Sequence, residues 1–324
     1  MIFRKPLLLI LFLSILVIGC EEVKQEVTKL DLELATSKVE LFGKGIVSTK
    51  LYERDIAISP DGKELIYSLG DYKQQKRCLV QIIKKEGKWG DPQLLSISGT
   101  YQDIEPFYAE EGRKLFFASN RPIEKGSKRT DYNIWYSERD GTAWSEPKAL
   151  NEMINTEKDE FYPSLSRNGN LYFTASRQDG MGLEDIFVSK LVDGVYQKAV
   201  ALDSTINTKH FEFNAYINPD ENLLIFSSFG RTDGYGGGDL YYSTKDKDGN
   251  WSLAKNMGEK VNSPQLDYCP FIDSERNNFY FTSERTEEIP TTINNLDQLK
   301  DFSNKTENGM GNIYSIRLKE LNFN

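Results

Sequence analysis

The apolar positions of this chain fall into short runs of about five residues, and the runs keep a fixed order. "ELIYS", "KLFFAS", "LYFTAS", "LLIFSS" and "FYFTS" each follow a polar turn such as "SPDG", "AEEG", "SRNG" or "NPDE". Asp, Asn, Pro and Gly suit such turns because they set or tolerate the φ values that tight turns require. Ahead of each turn lies another short apolar stretch opened by an acid, so that units begin at Asp55, Asp103, Glu160, Glu212 and Asp267. After each run comes a variable loop and a third stretch: "NIWYS", "DIFVS", "DLYYS" or "NIYSI". A second turn ("RDGTAW", "VDGVY", "KDGNW") then leads to a fourth. The matched positions Ala57, Pro106, Pro163, Ala215 and Pro270 recur every 49 to 57 residues.

Four short strands per repeat of this length predict an all-β chain, a five-bladed β-propeller of four-stranded antiparallel blades. Strands separated by regular turn signals exclude a helical solenoid. Helical periodicity is confined to "NNLDQLKDF" at 294–302. The fifth unit stops after its third strand, and "KVELFGKGIVSTKLYERD" at 38–55 parallels the fourth-strand segments "PKALNEMINTEKDE" and "KNMGEKVNSPQLD". An N-terminal strand therefore completes the last blade and removes an open sheet edge. The propeller is expected to span 38–324, with repeats starting near 55, 103, 160, 212 and 267 and an insertion at 286–309.

The N-terminus has a different pattern. Arg4 and Lys5 precede an apolar stretch from Leu7 to Gly19 that is short for a membrane span, and "VIGC" ends it at Cys20. Apolar sequence gives way there to "EEVKQEV". Residues 1–19 resemble a bacterial lipoprotein signal peptide, 20–37 a tether, and Cys20 the lipidated residue that would hold a domain at a membrane surface. Cys78 and Cys269 lie in apolar runs far apart and are expected as two separate buried thiols.

Composition agrees with a β-rich chain: 12% of residues are aromatic, led by 18 Phe and 17 Tyr. The net charge of −9 argues against nucleic acid as a partner, because phosphate backbones call for basic patches.

The stretches from Pro163 to Ser189 and from Asn214 to Ser243, with their turn, "L-Y-F-x-S-x-R", glycine pair and "D-I-Y-x-S" elements, resemble the TolB-like, WD40-like (PD40-type) propeller repeats of bacterial envelope proteins. The resemblance covers 38–318. It implies the fold and a place in the cell envelope or outer membrane, and leaves the task open, since such propellers serve many.

In a blade, the loop from second to third strand and the connection to the next blade share one face, and the two short turns share the other. The loop-rich face is expected to carry Arg121, Arg177, Arg231 and Arg285, with Asp103, Glu105, Glu160, Glu212 and Asp267 where inner strands begin and Tyr162 and Tyr268 beside them. Two readings follow. Arginine forks and aromatic faces could bind a protein or glycan in the mouth, or each Arg could pair with an acid of its own or a neighbouring blade. Recurrence in four blades favours the second.

"RTDGYGGGD" offers Asp233 and Asp239 as calcium ligands, but its spacing is not that of an EF-hand and its glycines equally serve positive φ. "SERDGTAW" and "TKDKDGNW" resemble the Asp-box turns of sialidase-type propellers, which are structural. A glycan-active hydrolase or lyase with carboxylates in the central mouth is the alternative function. The single histidine, His210, lies on a connection between blades without a G-x-S-x-G elbow. No P-loop, dinucleotide fingerprint or zinc spacing appears, so no cofactor is expected. The expected protein is a monomeric envelope propeller, lipid-anchored through Cys20, that binds a protein or glycan.

Overall fold

The computed structural model describes residues 30–323 except 34, 125, 287 and 288. Cys20 and the signal segment lie outside the described residues. Five antiparallel sheets carry nearly all the regular structure. In blade 3 the strands are Glu160–Leu165, Leu171–Ala175, Asp185–Ser189 and Val200–Ala201, paired in that order. The other innermost strands are Tyr52–Ile58, Asp103–Ala109, Phe211–Ile217 and Asp267–Asp273. Each innermost strand lies against those of the blades on either side, and the fifth meets the first, so the ring is closed. The chain is a five-bladed β-propeller.

Closure follows the expected route. Glu40–Leu41 pairs antiparallel with Asn312–Arg317, placing Glu40 opposite Ser315 and Leu41 opposite Tyr314 as the outermost strand of blade 5. Part of the segment expected as a tether over 20–37 packs against the fold. Leu30, Leu32 and Ala35 are buried. Asn278 Nδ2 donates to the Leu32 carbonyl at 2.5 Å, and Arg317 Nε donates to that of Ala35 at 2.7 Å. Asn278 and Arg317 face each other where the second and third strands of blade 5 reach the short-turn face. Residues 30–33, 35 and 36 thus lie across that face, because Leu30 and Leu32 complete the packing between blades 5 and 1.

The core sits between blades. Tyr172 and Ile186 of blade 3, for example, pack with Ile217, Leu224 and Phe226 of blade 4. A two-residue periodicity puts one face of each sheet against each neighbouring blade, which is why both faces read as apolar in the second strands.

The structure corrects one register. The first repeat is equivalent to the others from Glu53, not Asp55. Glu53 pairs across to Leu69 as Asp103 does to Ser119. The turn glycines Gly62, Gly112 and Gly169 show the same register, each nine residues beyond Glu53, Asp103 and Glu160. Asp55 stands two places further on, at a bulge. Every innermost strand has this bulge, and its left-handed residue is Asp55, Glu105, Tyr162, Asn214 or Cys269, with φ between 50° and 62°. None is glycine, so each costs on the order of 1 kcal/mol that its contacts must offset.

The single α-helix among the described residues, Leu296–Ser303, lies in the insertion, where the helical period predicts one. Asn295 caps it by accepting from the Gln298 N–H at 2.9 Å.

Candidate functional site

The acids that open the innermost strands are fully buried, and each is held by a hydroxyl residue a few positions earlier. Thr156 gives Glu160 its N–H and hydroxyl at 3.0 and 2.7 Å, and Thr208 does the same for Glu212 at 2.7 and 2.8 Å. Thr49 holds Glu53, Ser263 holds Asp267, and Ser98 holds Asp103. The Asn before Thr156, Thr208 and Ser263 binds the third strand of the preceding blade. Asn155, Asn207 and Asn262 each accept from and donate to one backbone unit, those of Ile134, Ile186 and Leu240. The recurring "INT" and "VNS" are therefore stitches joining the third strand of one blade to the first strand of the next.

The four predicted arginines complete these clamps. Arg121, Arg177, Arg231 and Arg285 meet Asp103, Glu160, Glu212 and Asp267 at 2.7, 2.9, 3.0 and 2.7 Å. Each also donates to a backbone carbonyl of the connection, that of Ile97, Ile154, Ile206 or Val261. The guanidinium lies over two rings of its own blade; Arg231 is 5.5 Å from Phe226 and 4.8 Å from Tyr241. Planar charge, bidentate reach and an aromatic bed explain why this position is Arg and not Lys. Blade 1 has Asp71 at the equivalent place, and Asn312 of blade 5 donates to Glu53 instead, at 2.8 Å.

The axis is filled by the bulge residues. Arg54 reaches Asp55 at 2.7 Å and Glu105 at 2.9 Å and lies 5.0 Å from the Tyr268 ring. Asn214 Nδ2 donates to Glu105 at 3.2 Å, the Cys269 thiol donates to Asn214 at 3.6 Å, and the Tyr162 hydroxyl donates to the Pro270 carbonyl at 3.0 Å. Tyr268 donates to the Tyr52 hydroxyl at 3.1 Å. Burial raises the Glu105 carboxyl to about 7, opposed by Arg54 and reinforced by Asp55. The Cys269 thiol is pushed up by the same burial. Sequence reasoning placed Glu105, Tyr162 and Tyr268 at the mouth but not Arg54, Asn214 or Cys269, although Asn214 and Cys269 stand two places after Glu212 and Asp267 as Glu105 does after Asp103. Cys269 and Cys78 are both free thiols; Cys269 is buried, as expected, and Cys78 is half-buried.

The glycine-rich loops have a structural cause different from the one first considered. A Cβ on Gly182 would stand 2.4 Å from the carbonyls of Thr208 and His210, and one on Gly236 would stand 2.0 Å from that of Pro264. Close approach to the next connection, not φ, requires these two glycines. Asp185 closes its loop by accepting the N–H groups of Met181 and Gly182 at 2.8 and 2.9 Å. Asp239 accepts from Tyr235 N–H and Asn256, and Asp233 from the Tyr241 hydroxyl. Among the described residues no group of three or more His, Cys, Asp or Glu is placed to hold a metal ion.

Surface chemistry gathers elsewhere on the loop-rich face. Most of the exposed large apolar side chains among the described residues lie in its loops and connections, including Tyr72, Ile123, Leu183, Tyr235 and Ile289. On the helix, Leu296 and Leu299 are exposed one turn apart, with Phe302 half-buried on the same stripe. Between blades 2 and 3 the face opens into a cleft of about 680 Å³ lined by Ile123, Arg129, Asp131, Glu152 and Glu157. Glu184, half-buried near the mouth, is raised above the usual carboxylate range by burial and by Asp159.

No family model matches the chain, and no curated protein matches it. Solved structures of similar chain path include a protein assigned as TolB from Agrobacterium tumefaciens, 16% identical over 75% of this chain and 72% of that one, with a TM-score of 0.46. The catalytic domain of a Coprinopsis cinerea GH62 α-L-arabinofuranosidase is 13% identical over 86% and 97%, with a TM-score of 0.49. A GH43 endo-arabinanase from Bacillus licheniformis is 9% identical over 85% and 94%, with a TM-score of 0.47. The likeness is one of fold, and the propeller assignment rests on the five sheets and their closed ring.

Proposed function

We propose that this chain is a binding module of the bacterial cell envelope, held to a membrane through a lipid on Cys20, that recognises a protein partner through its loop-rich face. The observation that carries this reading is the split between buried and exposed chemistry. Ring carboxylates and arginines are consumed in clamps within and between blades, while the same face leaves Leu296, Leu299, Ile289 and Leu183 in solvent. Exposed apolar side chains gathered on one face are what a protein interface requires. Aliphatic side chains also suit protein better than sugar rings, which favour aromatic faces; a glycan partner would use Tyr72 and Tyr235 instead.

The test is capture from detergent-solubilised envelopes with the chain as bait. Leu296→Asp with Leu299→Asp should abolish capture, and Val192→Asp, on the opposite face, should leave it intact. Equal capture by both variants would refute the assignment of the face. Loss of binding on Tyr72→Ala with Tyr235→Ala, and retention by the leucine pair, would point to a glycan.

A glycan hydrolase remains a second reading through one observation. Glu184, half-buried and raised by burial and by the charge of Asp159, is better suited to acid–base work than the clamped ring carboxylates. Glycan depolymerisation lost on Glu184→Gln would establish it.

A further inference from the structure

We propose that the short-turn face of the propeller is held toward the membrane and that the loop-rich face is presented away from it, so that the partner approaches from the aqueous side. This rests on the reading of Cys20 as the lipid anchor. It adds an orientation that the anchor alone does not supply.

Leu30 and Leu32 are buried, and Leu32 is bonded by Asn278. Arg317 holds the next carbonyls, Ala35 at 2.7 Å and Thr36 at 2.9 Å. Both anchoring residues stand where blade 5 meets the short-turn face. The first described residues are therefore fixed on that face, by buried side chains and by hydrogen bonds to backbone. These are contacts that a swinging linker would not make.

Reach then decides the orientation. Nine residues separate Cys20 from Leu30. Fully extended they span about 30 Å, and as a flexible chain their root-mean-square span is roughly 15–18 Å. Seven-residue inner strands such as Phe211–Ile217 cover about 24 Å on their own, before the loops are added. Turning the loop-rich face onto the bilayer would require the tether to run up the outside of the propeller at nearly full extension. Facing the short turns to the bilayer requires almost none of that length. Loop entropy therefore favours one orientation, and the exposed Leu296 and Leu299 point away from lipid.

The experiment uses the full, lipidated chain in vesicles that contain a headgroup-quencher lipid. A fluorophore is placed at Lys88→Cys on the short-turn face or at Tyr235→Cys on the loop-rich face, with the label on the parent's own thiols subtracted. Several-fold stronger quenching at 88 than at 235 is expected. A flexible insertion of about thirty residues ahead of Leu30 should bring the two signals together. Quenching at 235 equal to or above that at 88, in protein that floats with the vesicles, overturns the orientation and leaves the anchor standing. Failure to float, with Cys20→Ser behaving like the parent, overturns the anchor reading and the orientation with it.

Discussion

The backbone N–H of Tyr162 donates to the Glu105 carboxylate at 2.7 Å, where the bulges of three other blades use a hydroxyl. Asp55 donates to Thr282, Glu105 to Ser68 and Asn214 to Thr174, in each case on the second strand of the preceding blade. The strand preceding Tyr162 has Ala118 at that place, opposite Ile104, so a side chain from the axis takes over the acceptor role.

This substitution of one acceptor for another can be tested by removal and repair. Glu105→Ala leaves the Tyr162 amide, Arg54 and Asn214 short of an acceptor and should destabilise the chain by about 2–4 kcal/mol. Adding Ala118→Ser restores the hydroxyl present in the other blades and should recover about 1 kcal/mol. Denaturant unfolding of the single and double variants measures both. No recovery in the double variant would mean that the amide is not what Glu105 satisfies.

Stability should fall as pH rises from about 4.5 to about 7. Glu105 titrates near 7 in the folded chain, above its ordinary value. Within that window the folded state holds a proton that the unfolded state has released. The contribution is fully present below the window and lost above it. Glu53 and Glu160, raised by burial, act in the same direction. Glu105→Gln, neutral throughout, should flatten part of the slope in a series of melts across pH; an unchanged slope would place the titration elsewhere.

Arg231→Lys should cost about 1–3 kcal/mol and leave partner capture unchanged. A lysine cannot bridge Glu212 and the Ile206 carbonyl while lying across Phe226 and Tyr241. Thermal unfolding and capture on the same preparation separate the two effects. Weakened capture at unchanged stability would make this arginine part of the interface.

Gly182→Ala should destabilise by more than about 2 kcal/mol, since two backbone carbonyls stand within 2.4 Å of the new Cβ. Gly194→Ala, at φ +78° with open space around it, should cost only about 1 kcal/mol from backbone conformation. Their ratio in urea melts distinguishes steric contact from φ as the reason for glycine in the B-to-C loops, the loops between second and third strands.

The blade count, the turns and the closing strand were legible because they depend on local signals. Alternation of apolar residues, turn glycines and a missing fourth strand can all be read along the chain. The same signals include the ruler that would have placed Glu53 correctly, the nine-residue step to Gly62. Asp55 displaced it because an acid before an apolar run looks alike at either position. Arg177 and Glu160 were legible as residues, and their mutual pairing only as one of two readings.

What the sequence by itself determined, then, is the propeller: strand-length runs and turns at a near-regular period leave few other ways to bury the apolar faces. Tertiary structure alone decided which polar groups are spent and which remain free. Arg54, Asn214 and Cys269 come from three different blades, and only ring closure brings them to one axis. Leu30, Leu32 and Ala35 fall inside the expected 20–37 tether until the face they cover exists. Partnership between residues fifty or more positions apart is set by the angle between blades, a property of the closed ring that no local stretch encodes.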